Sequence, residues 1–209
     1  MRVGVIGAGN VGGTLGRRWA EEGHEVRFGV RDADDRKVAE LLARSPGATA
    51  VSVREAAEQS EVVVLATPWP AAEEAVRSAG NLTGKVLIDV TNPIKADFSG
   101  LEVGFSESGG ELVQAWADRA RVVKIFNTIG YNMMENPSFN GRPATMFYRG
   151  DDPDSKRTAA SLEADLGFDP VDAGPLAQAR LLEPLAWLWI SMAVKLGCGR
   201  DMALHLMRR

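Results

Sequence analysis

A chain of 209 residues, 45% hydrophobic and 25% charged, is long enough for one large domain, or one domain with a small appendage, around a substantial core. Its net charge of −4, from 24 Lys and Arg against 28 Asp and Glu with the signs mixed along the chain, argues against nucleic acid or an anionic membrane as the main partner. The single cysteine, Cys198, excludes an internal disulfide framework and fits a reducing cytoplasm.

Val3–Ile6 reads as a strand at the very start of the chain, which leaves no room for a signal peptide and predicts a cytosolic protein. Gly7, Gly9 and Gly12 follow in G-x-G-x-x-G spacing and run into a helix whose apolar face is Val11, Leu15 and Trp19. A second strand, Glu25–Val30, comes after the turn at Gly23. In that context Gly7 allows the tight turn, Gly9 lets backbone approach a pyrophosphate, and Gly12 packs the helix close to the strand. The helix N-terminus, with Ala8, Asn10 and Val11 in the loop, then faces the phosphates. A tight βα turn with no ligand is the plainer reading, and it leaves the three-glycine spacing without a reason. At the end of the second strand stands Val30-Arg31, where an NAD site carries an acidic residue for the ribose 2′-OH. A guanidinium there suits a 2′-phosphate, with Lys37 within reach, so the cofactor expected is NADP(H). The alternative is that Arg31 is a solvated loop arginine.

Residues 33–45 read as a helix closed by Ser45-Pro46-Gly47. Ala48–Val53 is a short strand, Arg54–Gln59 a short helix, and Glu61–Ala66 an apolar strand of the kind buried in a parallel sheet. A helix starts with Pro70 near its first turn, and Lys85–Val90 is the fifth strand. Residues 95–110 read as a loop, Glu111–Arg121 as a helix and Val122–Phe126 as the sixth strand. Then come a strand at Ala144–Tyr148, a helix from Pro153 to about Leu166, a strand at Asp169–Asp172, and helical sequence from about Pro175 to the end. This alternation predicts a Rossmann-type, doubly wound α/β fold with a mostly parallel sheet and a small helical C-terminal part. We place the dinucleotide-binding domain at residues 1–142 and a smaller substrate or dimerisation part at 143–209. The run Leu181–Leu196 is apolar on more than one face and is expected to be buried all round, as a subunit interface or as the central helix of a monomer. Pro184–Val194 is well short of the ~20 apolar residues of a membrane span.

Ligands of open α/β sheets lie beyond the carboxyl ends of the strands. Three loops at such ends carry distinctive residues: Thr67-Pro68-Trp69, Thr91-Asn92-Pro93 and Asn127-Thr128-Ile129-Gly130. Thr67 is placed for ribose or pyrophosphate, and Asn92, Asn127 and Thr128 for the nicotinamide carboxamide or the substrate. Asn-Pro and Thr-Pro pairs are also ordinary turn-formers, and Trp69 also suits a core. Neither histidine suits catalysis, since His24 precedes the second strand and His205 falls in the expected last helix. Lys124 reads as a strand-end or edge lysine, with proton donation as the alternative. No Cys/His/Asp cluster has metal-ligand spacing, and no activated-nucleophile signature appears. Hydride transfer between two stacked rings, with the chemistry carried by the cofactor, fits this inventory.

The runs Gly7-Ala8-Gly9-Asn10-Val11-Gly12, Arg31, Thr67-Pro68-Trp69, Asp172-Ala173-Gly174-Pro175-Leu176 and Arg180-Leu181-Leu182-Glu183 resemble the NADPH-dependent F420 reductases. The resemblance covers almost the whole chain, and the last two runs are its most specific part. The reductase domain of the STEAP metalloreductases looks similar too, without their membrane half. The resemblance implies hydride transfer between NADPH and the deazaflavin F420 in a homodimer. It implies 2′-phosphate contacts at Ala8, Val30, Arg31 and Lys37, and nicotinamide-side contacts at Asn92, Ile94 and the loop from Asn127 to Tyr131. It also implies that Gly197-Cys198-Gly199 comes back toward the cofactor. The chain departs from the family at Val30, where a hydroxyl residue is usual, and at Asn127, where a histidine is usual; the acceptor is therefore F420 or another flavin-like molecule. The alternatives are a ferric or other small-molecule reductase and a non-catalytic NADPH-binding redox sensor. A β-hydroxyacid-type or imine-reducing dehydrogenase needs a further all-α domain of roughly a hundred residues, for which the chain has no room.

Overall fold

Val3–Ile6 are buried apolar residues with the chain turning sharply after them, and in the computed structural model, which describes all residues 1–209, they end strand β1 (Arg2–Ile6). Gly7 makes that turn at φ +104°, where a Cβ would also lie 2.7 Å from the Ala66 carbonyl oxygen. Helix α1 (Asn10–Glu21) follows, then β2 (Glu25–Val30), α2 (Arg36–Leu42), β3 (Thr49–Ser52), α3 (Val53–Glu58) and β4 (Val62–Leu65). A 3₁₀ turn with Pro70 in it leads into α4 (Ala72–Ser78), β5 (Val86–Asp89), α5 (Gly109–Trp116) and β6 (Arg121–Lys124). Short α6 (Tyr131–Glu135) precedes a two-residue hairpin, β7 (Ser138–Phe139) and β8 (Arg142–Pro143). The chain then forms β9 (Thr145–Gly150), α7 (Pro153–Asp165), β10 (Asp169–Asp172) and α8 (Ala179–Ile190).

Eight strands form one sheet in the order β10-β9-β6-β5-β4-β1-β2-β3. Every pairing is parallel except β6 with β9. Strand order reverses between β1 and β4, which is where such sheets open a crevice for ligand. Residues beyond 143 therefore add two strands to the same sheet. Pro170 sits in β10, at the edge, where its missing N–H costs no ladder bond. The strand side chains alternate between two cores. Val62 and Val64 of β4 face a core with Leu15, Trp19, Phe28 and Leu162, while Val63 and Leu65 face one with Val76, Leu87, Val113 and Leu176. No helix of the chain is long and apolar enough to cross a membrane.

Four sequence expectations need correction. Helix α2 is shorter than 33–45, because Asp32 accepts from the Asp34 N–H in a turn and Asp35 then caps the helix by accepting from Lys37. Helix α5 begins at two glycines and ends at Trp116, since Ser108 caps it and Arg121 already belongs to β6. The C-terminal helix stops at Ile190, continues as one π turn (Ser191–Lys195), and gives way near Gly197 and Gly199, both at positive φ, to an irregular tail. That tail lies on β9, with the Thr145 N–H donating to the Leu204 carbonyl at 2.9 Å, so His205 is in the tail against the Pro143 carbonyl and not in a helix. Finally, Leu181–Leu196 is not the central helix of a monomer, buried all round within its own chain: Leu182, Ala186, Trp189 and Ala193 face the fold, while Leu181, Leu188, Val194 and Leu196 are exposed. The i, i+4, i+7 row of the inward set is an ordinary one-sided helix face, which the apolar outer residues hid in the sequence.

Candidate nucleotide and acceptor site

Because β1, β2, β4, β5 and β6 run parallel, the loops that follow them all emerge on one edge of the sheet. A cleft of about 470 Å³ opens there, lined by Gly7, Ala8, Gly9, Val30, Arg31, Lys37, Thr67 and Pro68 among others. The two glycines at the start of α1 differ in use. A Cβ at Gly12 would lie 2.0 Å from the Gly7 carbonyl oxygen and 2.9 Å from the Ala66 methyl, so this glycine serves helix–strand packing. A Cβ at Gly9 would meet nothing within 4 Å, so this one leaves open space. Gly9 caps α1 without a side chain, and no acidic residue stands in the first turn. The N–H groups of Asn10, Val11 and Gly12 and the positive helix end are thus free for an anion. Asn10 itself is exposed and Val11 is half-buried against the core.

The far wall carries the charges. Arg31 and Lys37 are exposed and make no ion pair, whereas the neighbouring Arg36 is taken by Glu40 at 2.8 Å. Asp32 and Asp35, on the same rim, are engaged by the backbone N–H groups of Asp34 and Lys37. Two cations without an ion-pair partner put charged donors in reach of a phosphate, while Asp32 and Asp35 beside them are held by backbone N–H groups.

From the third loop, Thr67 and Pro68 line the cleft, and the Thr67 hydroxyl is buried with no hydrogen-bond partner. Trp69 instead stacks on Trp116, ring centroids 5.3 Å apart, beside α5. The other two loops meet each other. Asn92 Nδ2 donates to the Asn127 carbonyl at 2.8 Å, and Asn127 Nδ2 donates to Asn92 Oδ1 at 3.1 Å and to the Leu182 carbonyl at 3.5 Å. The remaining oxygen, Asn127 Oδ1, is buried and unpartnered. Phe126, just before it, adopts φ +60°, a conformation costing about 1–3 kcal/mol for a bulky residue. Edge-on packing against Trp19 (5.9 Å) and Phe168 (5.8 Å) holds it there. Thr128 is buried with its hydroxyl toward Met146 Sδ at 3.9 Å. Ile94 is half-buried and pairs with Leu101 across the following loop. Tyr131, half-buried, lies under Arg200, whose guanidinium carbon is 5.9 Å from the ring centre. The segment Gly197–Gly199 passes just before that contact, and Cys198 is exposed.

Beneath the two asparagines lies a group that the sequence reading missed. Lys124, Asp89 and Glu183 have side chains 0% exposed. Lys124 Nζ donates to Asp89 Oδ2 at 2.8 Å and to the Thr91 carbonyl at 2.6 Å, and lies 3.1 Å from Glu183 Oε1. Glu183 accepts from the Gly109 and Gly110 N–H groups at 2.9 and 3.0 Å, and Asp89 Oδ1 accepts from the Thr91 N–H and hydroxyl. Lys124 is therefore a strand-end lysine, the last residue of β6, but not an edge one: β6 is flanked by β5 and β9, and the ammonium is buried. Burial pushes its pKa down, but the Asp89 and Glu183 carboxylates outweigh burial and hold it above its ordinary value. All three of its N–H donors are engaged, which leaves no free proton to offer a substrate. The signal was three charges in apolar surroundings, Leu87-Ile88-Asp89, Val123-Lys124-Ile125 and Leu182-Glu183-Pro184, each too ordinary alone. Arg180, in the same segment as Glu183, holds Glu111 of α5 through two bonds of 2.8 and 2.6 Å.

A family model described as coenzyme F420-dependent NADP oxidoreductase matches residues 2–93. The F420-dependent NADP reductase of Methanothermobacter marburgensis is 30% identical over 213 residues, covering 93% of both chains. The rat metalloreductase STEAP3 is 28% identical over 185 residues, 88% of this chain, which spans only 36% of that longer protein. A crystal structure of a putative F420-dependent NADP reductase from Arthrobacter sp. FB24 superposes with a TM-score of 0.90 at 30% identity over 100% of both chains. A reductive aminase from Aspergillus terreus, in complex with NADPH, shares the fold at TM-score 0.68 and 19% identity, with 62% of its length covered.

Proposed function

The chain belongs to the family of F420-dependent NADP reductases, and from that premise we propose that it passes hydride between NADP(H) and a deazaflavin of the F420 type, or a flavin-like acceptor of similar shape. That it is an NADP-dependent oxidoreductase follows from the family. The observation that carries the site is the pairing of an open glycine turn with two unpaired cations on one side and two buried, unpartnered acceptors, Thr67 Oγ1 and Asn127 Oδ1, on the other. Other buried oxygens of the chain lack partners too, those of Ser60 and Glu163 among them, but these two sit on loops at the ligand edge of the sheet.

The residues fit NADP(H). Gly7, Ala8, Gly9, Asn10, Val11 and Gly12 would hold the pyrophosphate on the start of α1, and Val30, Arg31 and Lys37 the 2′-phosphate. Thr67 and Pro68 would border the pyrophosphate and ribose, with Trp69 behind them against Trp116. Asn92, Ile94, Asn127, Thr128 and Tyr131 would surround the nicotinamide, with Asn127 Oδ1 accepting from the carboxamide. When bound, the dinucleotide supplies the hydride itself, and the chain supplies orientation and exclusion of water. His24 is occupied by Asp165 at 3.0 Å and His205 by a backbone carbonyl, which supports a transfer without a histidine acid or base. Residues 143–209 would form the acceptor side and the dimer contact. The exposed apolar side chains of Leu181, Leu188, Val194 and Leu196 after residue 180 support a homodimer. The free, exposed Cys198 supports a cytoplasmic setting.

The test is NADPH oxidation, followed by absorbance, with F420, FMN, FAD, riboflavin and ferric chelates offered in turn. Fast oxidation with F420 alone is the expected result. Turnover with a flavin or ferric chelate but not F420 would move the acceptor elsewhere. Tight NADPH binding with no turnover at all would replace the reductase by a redox sensor.

A further inference from the structure

The cluster of Lys124, Asp89 and Glu183 is expensive to bury and touches nothing in the cleft. Three charges without water cost several kcal/mol each unless every lone pair and proton is met. Its placement shows what that arrangement holds. The ammonium is bonded to the carbonyl of Thr91, the residue immediately before Asn92. It also lies against the carboxylate of Glu183, the residue immediately after Leu182, whose carbonyl accepts from Asn127. Lys124 itself ends β6, three residues before Asn127. The two asparagines are thereby pinned from both sides to one nitrogen, and bonded to each other at 2.8 and 3.1 Å. Glu183 extends the hold to the first N–H groups of α5, so strand ends, helix start and α8 are fixed together.

We infer that Lys124, with Asp89 and Glu183, is the positioning group for the nicotinamide: it sets the Asn92–Asn127 pair, and with it the buried acceptor Asn127 Oδ1, in the arrangement that receives the carboxamide. This rests on the cofactor reading above. A lysine–carboxylate cluster kept only for stability would be replaceable by packed apolar side chains with no effect on the ligand. A positioning cluster would not be, because an apolar side chain offers no donor to the Thr91 carbonyl.

The experiment compares the affinity of NADP⁺ with that of 2′-phosphoadenosine diphosphoribose, the same molecule without nicotinamide, by calorimetry. It uses the full-length protein, Lys124→Met, and the triple variant Asp89→Asn/Lys124→Met/Glu183→Gln. The triple variant leaves no buried charge alone and so keeps a folded protein available if the single one melts. A thermal melt establishes that each sample is folded. The expected result is a ratio of NADP⁺ to fragment affinity lower by about five- to tenfold, the size of one lost hydrogen bond, with fragment affinity unchanged. An unchanged ratio, or equal losses for both ligands, overturns the inference while leaving the cofactor site standing. Failure of the unaltered protein to bind the fragment overturns the cofactor reading, and the inference with it.

Discussion

At one end of the carboxyl edge, Arg31 on the loop after β2 and Lys37 in the first turn of α2 stand unpaired in solvent, with Asp32 and Asp35 beside them held by backbone N–H groups. At the other end, Asn92 and Asn127 are bonded to each other above three fully buried charges. The first region, which we assign to the 2′-phosphate, is made by residues close in sequence and contributes little to the fold. The second, which we assign to the nicotinamide, joins β5, β6, α5 and α8 and is part of what holds them together. Charge recognition is thus left to side chains that can change independently, while orientation is tied to stability.

The largest effect separates ligand from fold at the glycine loop. Gly9→Val should abolish binding of NADPH and NADH alike while leaving the melting temperature near its starting value, because nothing lies within 4 Å of the added Cβ. Normal NADPH binding in that variant would remove the glycine loop from the site. Next comes the network. Lys124→Met strips the neutralising charge from two buried carboxylates and should cost about 3–5 kcal/mol. For a chain of this size that is a fall of roughly 10 °C in Tm, and a loss under about 1 kcal/mol would mean the carboxylates find other partners. Arg31→Ala reverses the pattern: stability holds, and affinity for NADPH should drop roughly 10- to 100-fold while that for NADH stays nearly constant. Equal losses for the two nucleotides would break the assignment of that wall to the 2′-phosphate.

The smallest effect lies outside both regions and serves as their control. Glu163 on α7 is 0% exposed, both its carboxylate oxygens lack partners, and burial together with Asp169 pushes its pKa well above the usual carboxylate range. A carboxyl whose folded pKa is raised stays protonated in the fold after the unfolded chain has released its proton. Stability therefore falls as pH rises from the unfolded pKa, about 4.3, toward the folded one. Glu163→Gln should flatten the dependence of Tm on pH above pH 5 and raise Tm at pH 8, by about 3 °C for each kcal/mol recovered. Nucleotide affinity should not move, and an unchanged pH slope would mean that Glu163 ionises within the fold.

Much of the open end was legible in the sequence. Strand, glycine loop, helix and Arg31 are consecutive, so their spacing alone specifies which backbone turns and which cation stands at the strand tip. Sheet strands were legible too, since β1 and β4 are buried on both faces and read as unbroken apolar runs. Thr67 and Asn127 could be placed on ligand-edge loops, but not that an oxygen of each is left without a partner, because that depends on what the rest of the fold fails to offer. Helix ends were misjudged at α2, which the local Asp35 caps, and at α5, where a side chain from elsewhere joins the Ser108 cap. The start of α5 at Gly109 is fixed by Glu183, which lies more than seventy residues away.

Sequence alone determined the order of strands and helices, the glycine turn and the cation at the tip of β2, because each rests on neighbours within one turn or one loop. Only the tertiary structure decided that Asp89, Lys124 and Glu183 are one buried group, that α8 has one inward face, and that the chain after Gly197 is a tail along β9. The physical reason is the same in each case. A charge or an apolar side chain takes its meaning from the partner and the dielectric around it, and those are supplied by residues distant in the chain.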